Sequence, residues 1–198
     1  MPERQTVSST NKPVFIGLDD YLWVNQTNGA VTAYLNRWVG LTPNWIPVNG
    51  GQPIATGAGS GVVFADLNGD SRADYLIVNS DTGAVQAWFN GGPQANGWLW
   101  EGPVTVASGV PGANKQTVLF GDINGDGRAD YLVKSADGGL TLFLNSGSPG
   151  SNDVSWIPSG EIATGVGNPN ITLRDINGDG TNLLNTFILS MVVVTNSF

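Results

Sequence analysis

The chain has 198 residues, among them 28 glycines and 11 prolines, with 16 acids against 8 bases for a formal net charge of −8. It holds no cysteine and no histidine, which excludes a disulfide framework, zinc sites of the Cys/His kind, and Ser-His-Asp or Cys-His catalysis. The acidic balance repels a phosphate backbone, so nucleic acid is not an expected partner.

The length suffices for a domain with a real core. Frequent Gly and Pro favour tight turns over long helices. Short β-branched and aromatic runs recur, and no segment sustains an i, i+3, i+4 apolar period. The expected class is all-β.

In chain order, residues 1–16 match nothing that follows. Met1 to Thr6 carries no apolar signal-peptide core. Gly17-Leu18-Asp19-Asp20-Tyr21-Leu22 is the back half of a unit that recurs in full at Val62 to Leu76 and at Val118 to Leu132. The positions before it that correspond to the other acids, Lys12, Val14 and Ile16, offer no ligating side chain. A front half returns at Ile171 to Gly180, where Leu183 stands in place of the last Asp. The period is 54 residues from Asp20 to Asp74, 56 from Asp74 to Asp130, and 53 from Asp122 to Asp175.

Each unit reads as four short strands. In the clearest copy these are Thr117–Gly121, Asp130–Ser135, Leu140–Asn145 and the region from Trp156 to Thr164. A hairpin signal, Asp137-Gly138-Gly139, lies between the second and third. The same order runs through Asp81-Thr82-Gly83, Ala84 to Asn90 and Trp98 to Ser108. It runs earlier through Thr27-Asn28-Gly29, Ala30 to Asn36 and Trp45 to Thr56. Four strands per repeat of this length mark a propeller blade, which must stack on neighbours to cover its faces. The expected architecture is an incomplete ring of about three to four blades: about 17–60, 61–116, 117–170 and a partial 171–180. Residues 181–198 form an atypical tail. Its apolar run, Leu183 to Val194, is too short to span a bilayer. Tyr34, Trp88 and Phe143 share one repeat position, and Trp45, Trp98 and Trp156 another. Large repeated aromatics are expected between blades; a sugar-stacking platform is the sharper alternative.

The chemistry lies in the loop of the unit. Eight acids fall in three such loops: Asp66, Asp70, Asp74, Asp122, Asp126, Asp130, Asp175 and Asp179. In each full copy, oxygen-bearing side chains occupy the first, third, fifth and ninth positions, with a tight backbone around Gly69, or around Gly125 and Gly127. Such a loop wraps a hard cation such as Ca²⁺, which takes six to eight oxygens at about 2.3–2.6 Å. Asp66, Asn68, Asp70 and Asp74 are the expected side-chain ligands of one ion, with the Arg72 carbonyl. Asp122, Asn124, Asp126 and Asp130 serve the other, with the Arg128 carbonyl. Asp175, Asn177 and Asp179 form a weaker third candidate. The alternative is a set of Asp/Asn/Gly turns without an ion. An EF-hand is excluded, because position 12 is Ile77 or Val133 rather than Glu. The two arginine side chains are expected to pin neighbouring turns or face solvent.

The run Phe120-Gly121-Asp122-Ile123-Asn124-Gly125-Asp126-Gly127-Arg128-Ala129-Asp130-Tyr131-Leu132 resembles the FG-GAP/VCBS repeat, which builds the calcium-bearing propeller of the integrin α-subunit head. The wording is most similar to fungal extracellular proteins, where such repeats accompany secreted hydrolase domains. The resemblance spans about residues 17–180. It implies a calcium-dependent, extracellular module, acting as a scaffold or as a binding domain for a glycan or an extracellular protein. Family propellers usually have seven blades, so both ends are expected to derive from a truncated or misassembled reading frame. Catalysis within this chain is not expected. Every clustered carboxylate belongs to a repeated loop, whereas a catalytic pair would occur once, in a cleft.

Overall fold

The computed structural model describes residues 20–39, 42–95 and 97–174. Residues 1–19, Asp175, Asn177, Asp179 and the tail from 181 lie outside the described residues. The chain divides into two compact units, Met1–Ala58 and Gly59–Phe198.

The first unit holds one antiparallel sheet, β1 (Tyr21–Val24), β2 (Val31–Val39) and β3 (Thr42–Pro47), in that order. β-Branched and aromatic residues dominate these strands, and alternation sends Val31 and Ala33 to a buried face. The β1–β2 turn is closed by Gly29, whose φ of 77° suits glycine. A short 3₁₀ turn, Val48–Gly51, follows β3. Beyond it Ile54 and Ala55 return to β2: Ile54 N–H donates to the Val31 carbonyl at 2.8 Å. Three strands are seen here where four per unit were expected; the segment that would supply the outer strand lies outside the described residues.

The second unit holds two four-stranded antiparallel sheets. The first runs β4 (Val62–Ala65), β5 (Asp74–Val78), β6 (Val85–Gln94), β7 (Gly97–Ala107). The second runs β8 (Val118–Gly121), β9 (Asp130–Lys134), β10 (Leu140–Asn145), β11 (Trp156–Ala163). In both, consecutive strands are neighbours, the meander of a propeller blade. The register repeats as well: Phe64 faces Tyr75 as Phe120 faces Tyr131, and Ala65 faces Asp74 as Gly121 faces Asp130.

One core joins these two blades. Leu76, Val78, Val85, Ala87, Phe89 and Val106 of the first pack with Val118, Ala129 and Tyr131 of the second. The polar tips of the aromatics find partners across the junction. Tyr131 donates its hydroxyl to the Gly83 carbonyl at 3.0 Å, and Trp156 its indole N–H to the Val106 carbonyl at 2.7 Å. Burial pushes the Tyr131 phenol up to about 12.

The aromatic positions need one correction. Trp100, not Trp98, lies opposite Asn90, as Trp45 lies opposite Asn36 and Trp156 opposite Asn145. Register shifts between β6 and β7, including one between Asn90 and Gly92, move the equivalence by two residues. The trio of each blade is therefore Tyr21, Tyr34 and Trp45, then Tyr75, Trp88 and Trp100, then Tyr131, Phe143 and Trp156. Ring centroids within each trio lie 5.4–6.0 Å apart for Tyr75 with Trp88 and Trp100, and the other two blades keep similar contacts.

Candidate functional site

The loops between the first two strands of each full blade have one construction. The carboxylate of Asp66 gathers the turn: Oδ1 accepts from Gly69 N–H at 2.7 Å and Asp70 N–H at 3.3 Å, and Oδ2 accepts from Ser71 N–H at 2.7 Å. Asp122 does the same with Gly125, Asp126 and Gly127, at 2.8, 3.2 and 2.9 Å. At the far end, Asp74 Oδ2 accepts from Leu67 N–H at 2.8 Å and Oδ1 from Asn90 N–H at 2.9 Å. Asp130 repeats this with Ile123 at 2.9 Å and Asn145 at 2.7 Å. The ninth-position Asp thus ties the loop to the third strand of its own sheet. In the first unit Asp20 accepts from Asn36 N–H at 2.8 Å, the counterpart of the third-strand bond made by Asp74 and Asp130.

The fifth-position acids meet the arginines. Arg72 pairs with Asp70, and Arg128 pairs with Asp126 at 2.6 Å. Each arginine also reaches the main-chain carbonyl of the third-strand asparagine: Arg72 Nε to Asn90 at 2.7 Å, and one terminal Arg128 nitrogen to Asn145 at 3.4 Å. The arginine side chains do pin a neighbouring segment, and their ion pairs with the loop were not foreseen. An i, i+2 Asp/Arg spacing within a turn was the available signal.

Each loop carries three carboxylates and one guanidinium along its nine residues. Burial pushes Asp66 and Asp74 above the ordinary carboxylate range, Asp74 to about 6, and the neighbouring carboxylates push the same way. Asp130 is raised by burial for the same reasons. In each case backbone N–H donors pull the other way. Among the described residues no group of three or more acids stands gathered as a finished metal centre. The carboxylates are turned onto N–H groups of the loop. The donor set nonetheless suits a hard cation: it is all oxygen, short in span and sets three carboxylates against one guanidinium, with the ninth-position Asp buried.

The first loop does more than the second. Its main-chain carbonyls at Asp66, Leu67 and Asn68 accept in turn from Ala129 N–H at 2.6 Å, the Asn145 side-chain amide at 2.8 Å and Gly150 N–H at 2.6 Å. All three donors belong to the following blade. Beside this seam lies a polar cavity of about 200 Å³, lined by Asn68, Asp70, Arg72, Asn90, Glu101 and Asn152 among others. The Asn152 amide links it across, donating to Glu101 at 2.7 Å and accepting from Asn68 at 3.1 Å. Asn145 and Asn152 were absent from the expected site, because their partners stand 78 and 84 residues away in the chain.

Four-stranded meanders that carry a repeated aromatic trio and are hinged on repeated Asp-rich loops define a β-propeller-type repeat protein. A family model for the FG-GAP-like repeat matches residues 66–133 and 122–182, together more than half of the chain. The chain belongs to the FG-GAP-like repeat family, whose repeats form propeller blades. No curated protein and no solved structure matches it. No helix among the described residues is long and apolar enough to cross a membrane.

Proposed function

We propose that the chain is a calcium-binding propeller module, serving as scaffold or binding domain of an extracellular protein. One observation carries the proposal: the same oxygen-only loop is built twice, with matched hydrogen bonds and with carboxylates whose protonation is favoured by burial and by surplus negative charge. A divalent ion is the natural counter-charge for such a loop. Asp66, Asn68, Asp70 and Asp74 would hold one ion with the Arg72 carbonyl. Asp122, Asn124, Asp126 and Asp130 would hold the second with the Arg128 carbonyl. The bound ions would supply positive charge and fix the hinge between first and second strands. Loops of this kind in extracellular modules bind weakly, with dissociation constants on the order of 10⁻⁴–10⁻³ M, and fill where calcium is millimolar.

Isothermal titration with Ca²⁺ tests this directly. Two sites are expected in the intact chain and one in each of Asp66→Ala and Asp122→Ala. Absence of any binding heat in the millimolar range, or heat unchanged by both substitutions, would overturn it. The scaffold role, rather than catalysis, is supported by the placement of the clustered acids. Asp66 and Asp74, like Asp122 and Asp130, are each engaged in holding a turn.

A further inference from the structure

The two acidic loops match position for position, yet their third-position asparagines stand in different surroundings. Asn68 is 5% exposed, whereas Asn124 lies on the surface. Asn124 Nδ2 donates to Asp126 at 2.9 Å, within its own loop. Asn68 is gripped from outside as well, by the turn between β10 and β11 of the following blade. Ser146 N–H donates to the Ser155 carbonyl at 2.8 Å and closes the base of that turn. At its tip, Gly150 N–H donates to the Asn68 main-chain carbonyl at 2.6 Å, and Asn152 Oδ1 accepts from Asn68 Nδ2 at 3.1 Å. Asn152 Nδ2 then donates to the Glu101 carboxylate of β7 at 2.7 Å. Among the described residues, no such bond reaches the Asn124 side chain from outside its loop.

These bonds form a relay with a direction. A side-chain amide offers donors on its nitrogen and an acceptor on its oxygen, and an ionised carboxylate only accepts. Glu101 therefore holds the nitrogen of Asn152 and turns the Asn152 oxygen toward Asn68. That oxygen draws the Asn68 nitrogen outward to the next blade. The Asn68 oxygen is left facing its own loop, where it accepts from Asp70 N–H at 3.2 Å. We infer, on the calcium reading proposed above, that Asn152 and Glu101 are positioning residues for the first loop, which aim the Asn68 oxygen at the ion and make this site the tighter of the two. Neither residue is a proposed ligand. A donor oxygen oriented before the ion arrives spares the ordering cost of binding. Partners that orient a ligand in this way are worth about 10–100-fold in metal affinity.

Calorimetric titration of the intact chain with Ca²⁺ tests this. Two unequal steps are expected, of which Asp66→Ala removes the tighter and Asp122→Ala the weaker. Asn152→Ala should raise the dissociation constant of the tighter step about tenfold or more and leave the weaker step unchanged. Glu101→Ala should act in the same direction. Glu101→Gln, whose carbonyl still accepts from the Asn152 amide, should stay close to the intact chain. Melts in chelator separate positioning from simple loss of stability, since only positioning weakens one step at an unchanged melting temperature. Two equal steps, the reverse assignment of the steps, or a tighter step indifferent to Asn152→Ala would overturn the relay and leave the calcium reading standing. So would an equal loss in Glu101→Gln and Glu101→Ala, which would show that the charge alone matters. No binding heat in the intact chain would overturn the calcium reading and the relay together. Where Asn152→Ala fails to fold, the two Glu101 variants and the intact isotherm decide.

Discussion

The side-chain amide of Asn145 donates to the main-chain carbonyl of Leu67 at 2.8 Å, joining the third strand of one blade to the loop of the blade before it. The same amide reaches the Ala129 carbonyl at 3.2 Å, its oxygen accepts from Gly147 N–H at 3.1 Å, and the residue is 1% exposed. Asn145→Ala leaves two buried carbonyls and one N–H without partners. The expected cost is about 2–4 kcal/mol, from the penalty for orphaned buried groups. A urea titration measures it as a lowered midpoint.

The buried loop acids set a pH dependence of definite sign. Asp74 is pushed up to about 6 from an ordinary 3.8, and Asp66 and Asp130 are raised as well. For such groups the folded state binds protons that the unfolded state has released. Their contribution to stability is greatest below the unfolded value and is lost as pH rises through the folded one. In chelator, the melting temperature should therefore rise as pH falls from about 7 toward 5. Asp137, held low chiefly by the Ser135 hydroxyl, acts in the opposite sense only at lower pH. Calcium bound in these loops competes with the protons, so saturating calcium should flatten or reverse the trend. Thermal melts with and without calcium give both curves.

Two glycines separate backbone strain from packing. Gly127 has φ of 84°, and a methyl group placed on its Cα would meet open space, so Gly127→Ala should cost only the left-handed conformation, about 1 kcal/mol. Gly83 has φ of 68°, and a Cβ there would collide with the Ala113 side chain and lie 2.8 Å from the Tyr131 hydroxyl. Gly83→Ala should cost clearly more, about 2–4 kcal/mol, because strain and overpacking add. Parallel denaturant titrations compare the two.

Loss of a single indole bond should also be visible. Trp156→Phe keeps an aromatic ring between the blades and removes the donor to the Val106 carbonyl. About 1–2 kcal/mol is expected from that change. Hydrogen exchange at amides flanking the junction should quicken correspondingly.

Calcium should be felt across the junction. Ala129 and Gly150 donate their N–H groups to carbonyls of the first loop, at Asp66 and Asn68. Ordering that loop with Ca²⁺ should slow exchange at both amides; Gly150, outside both proposed calcium loops, is the one that reports the junction, since Ala129 lies between the Arg128 carbonyl and Asp130 of the second loop. A slowing of about tenfold corresponds to about 1.4 kcal/mol. Exchange unchanged at both in saturating calcium would show that the junction is indifferent to the ion.

Much of the fold was legible because the repeat is nearly verbatim. Gly83 and Gly138 sit at positive φ in the hairpins that Asp81-Thr82-Gly83 and Asp137-Gly138-Gly139 announce. β10 falls on the expected Leu140–Asn145, and the first and ninth acids of each loop occupy equivalent places. What escaped was anything set by partners far along the chain. Nothing in the local pattern marks Asn145 as a clasp, since a third-strand Asn before Gly or Ser reads as an ordinary turn former. The β6–β7 shift escaped for a related reason. Trp98 and Trp100 are equally good aromatics, and only the bulges decide which one faces Asn90. Trp98 instead donates its indole N–H to the Asn90 side chain at 2.7 Å.

The row of carbonyls at Asp66, Leu67 and Asn68 also fixes the length of its loop. Inside, Asp66 and Asp74 measure out nine residues by gripping the same turn from both ends; outside, three consecutive peptide units must present themselves to Ala129, Asn145 and Gly150 in step. An inserted or deleted residue after Asn68 would break the inner spacing, and one between Asp66 and Asn68 would break the outer row as well. Variation in length among chains of this kind should therefore collect at hairpin tips such as Gly97, where nothing lies close, and spare the acidic loops. The loop thus works as a spacer gauge, setting the pitch at which one blade follows the next.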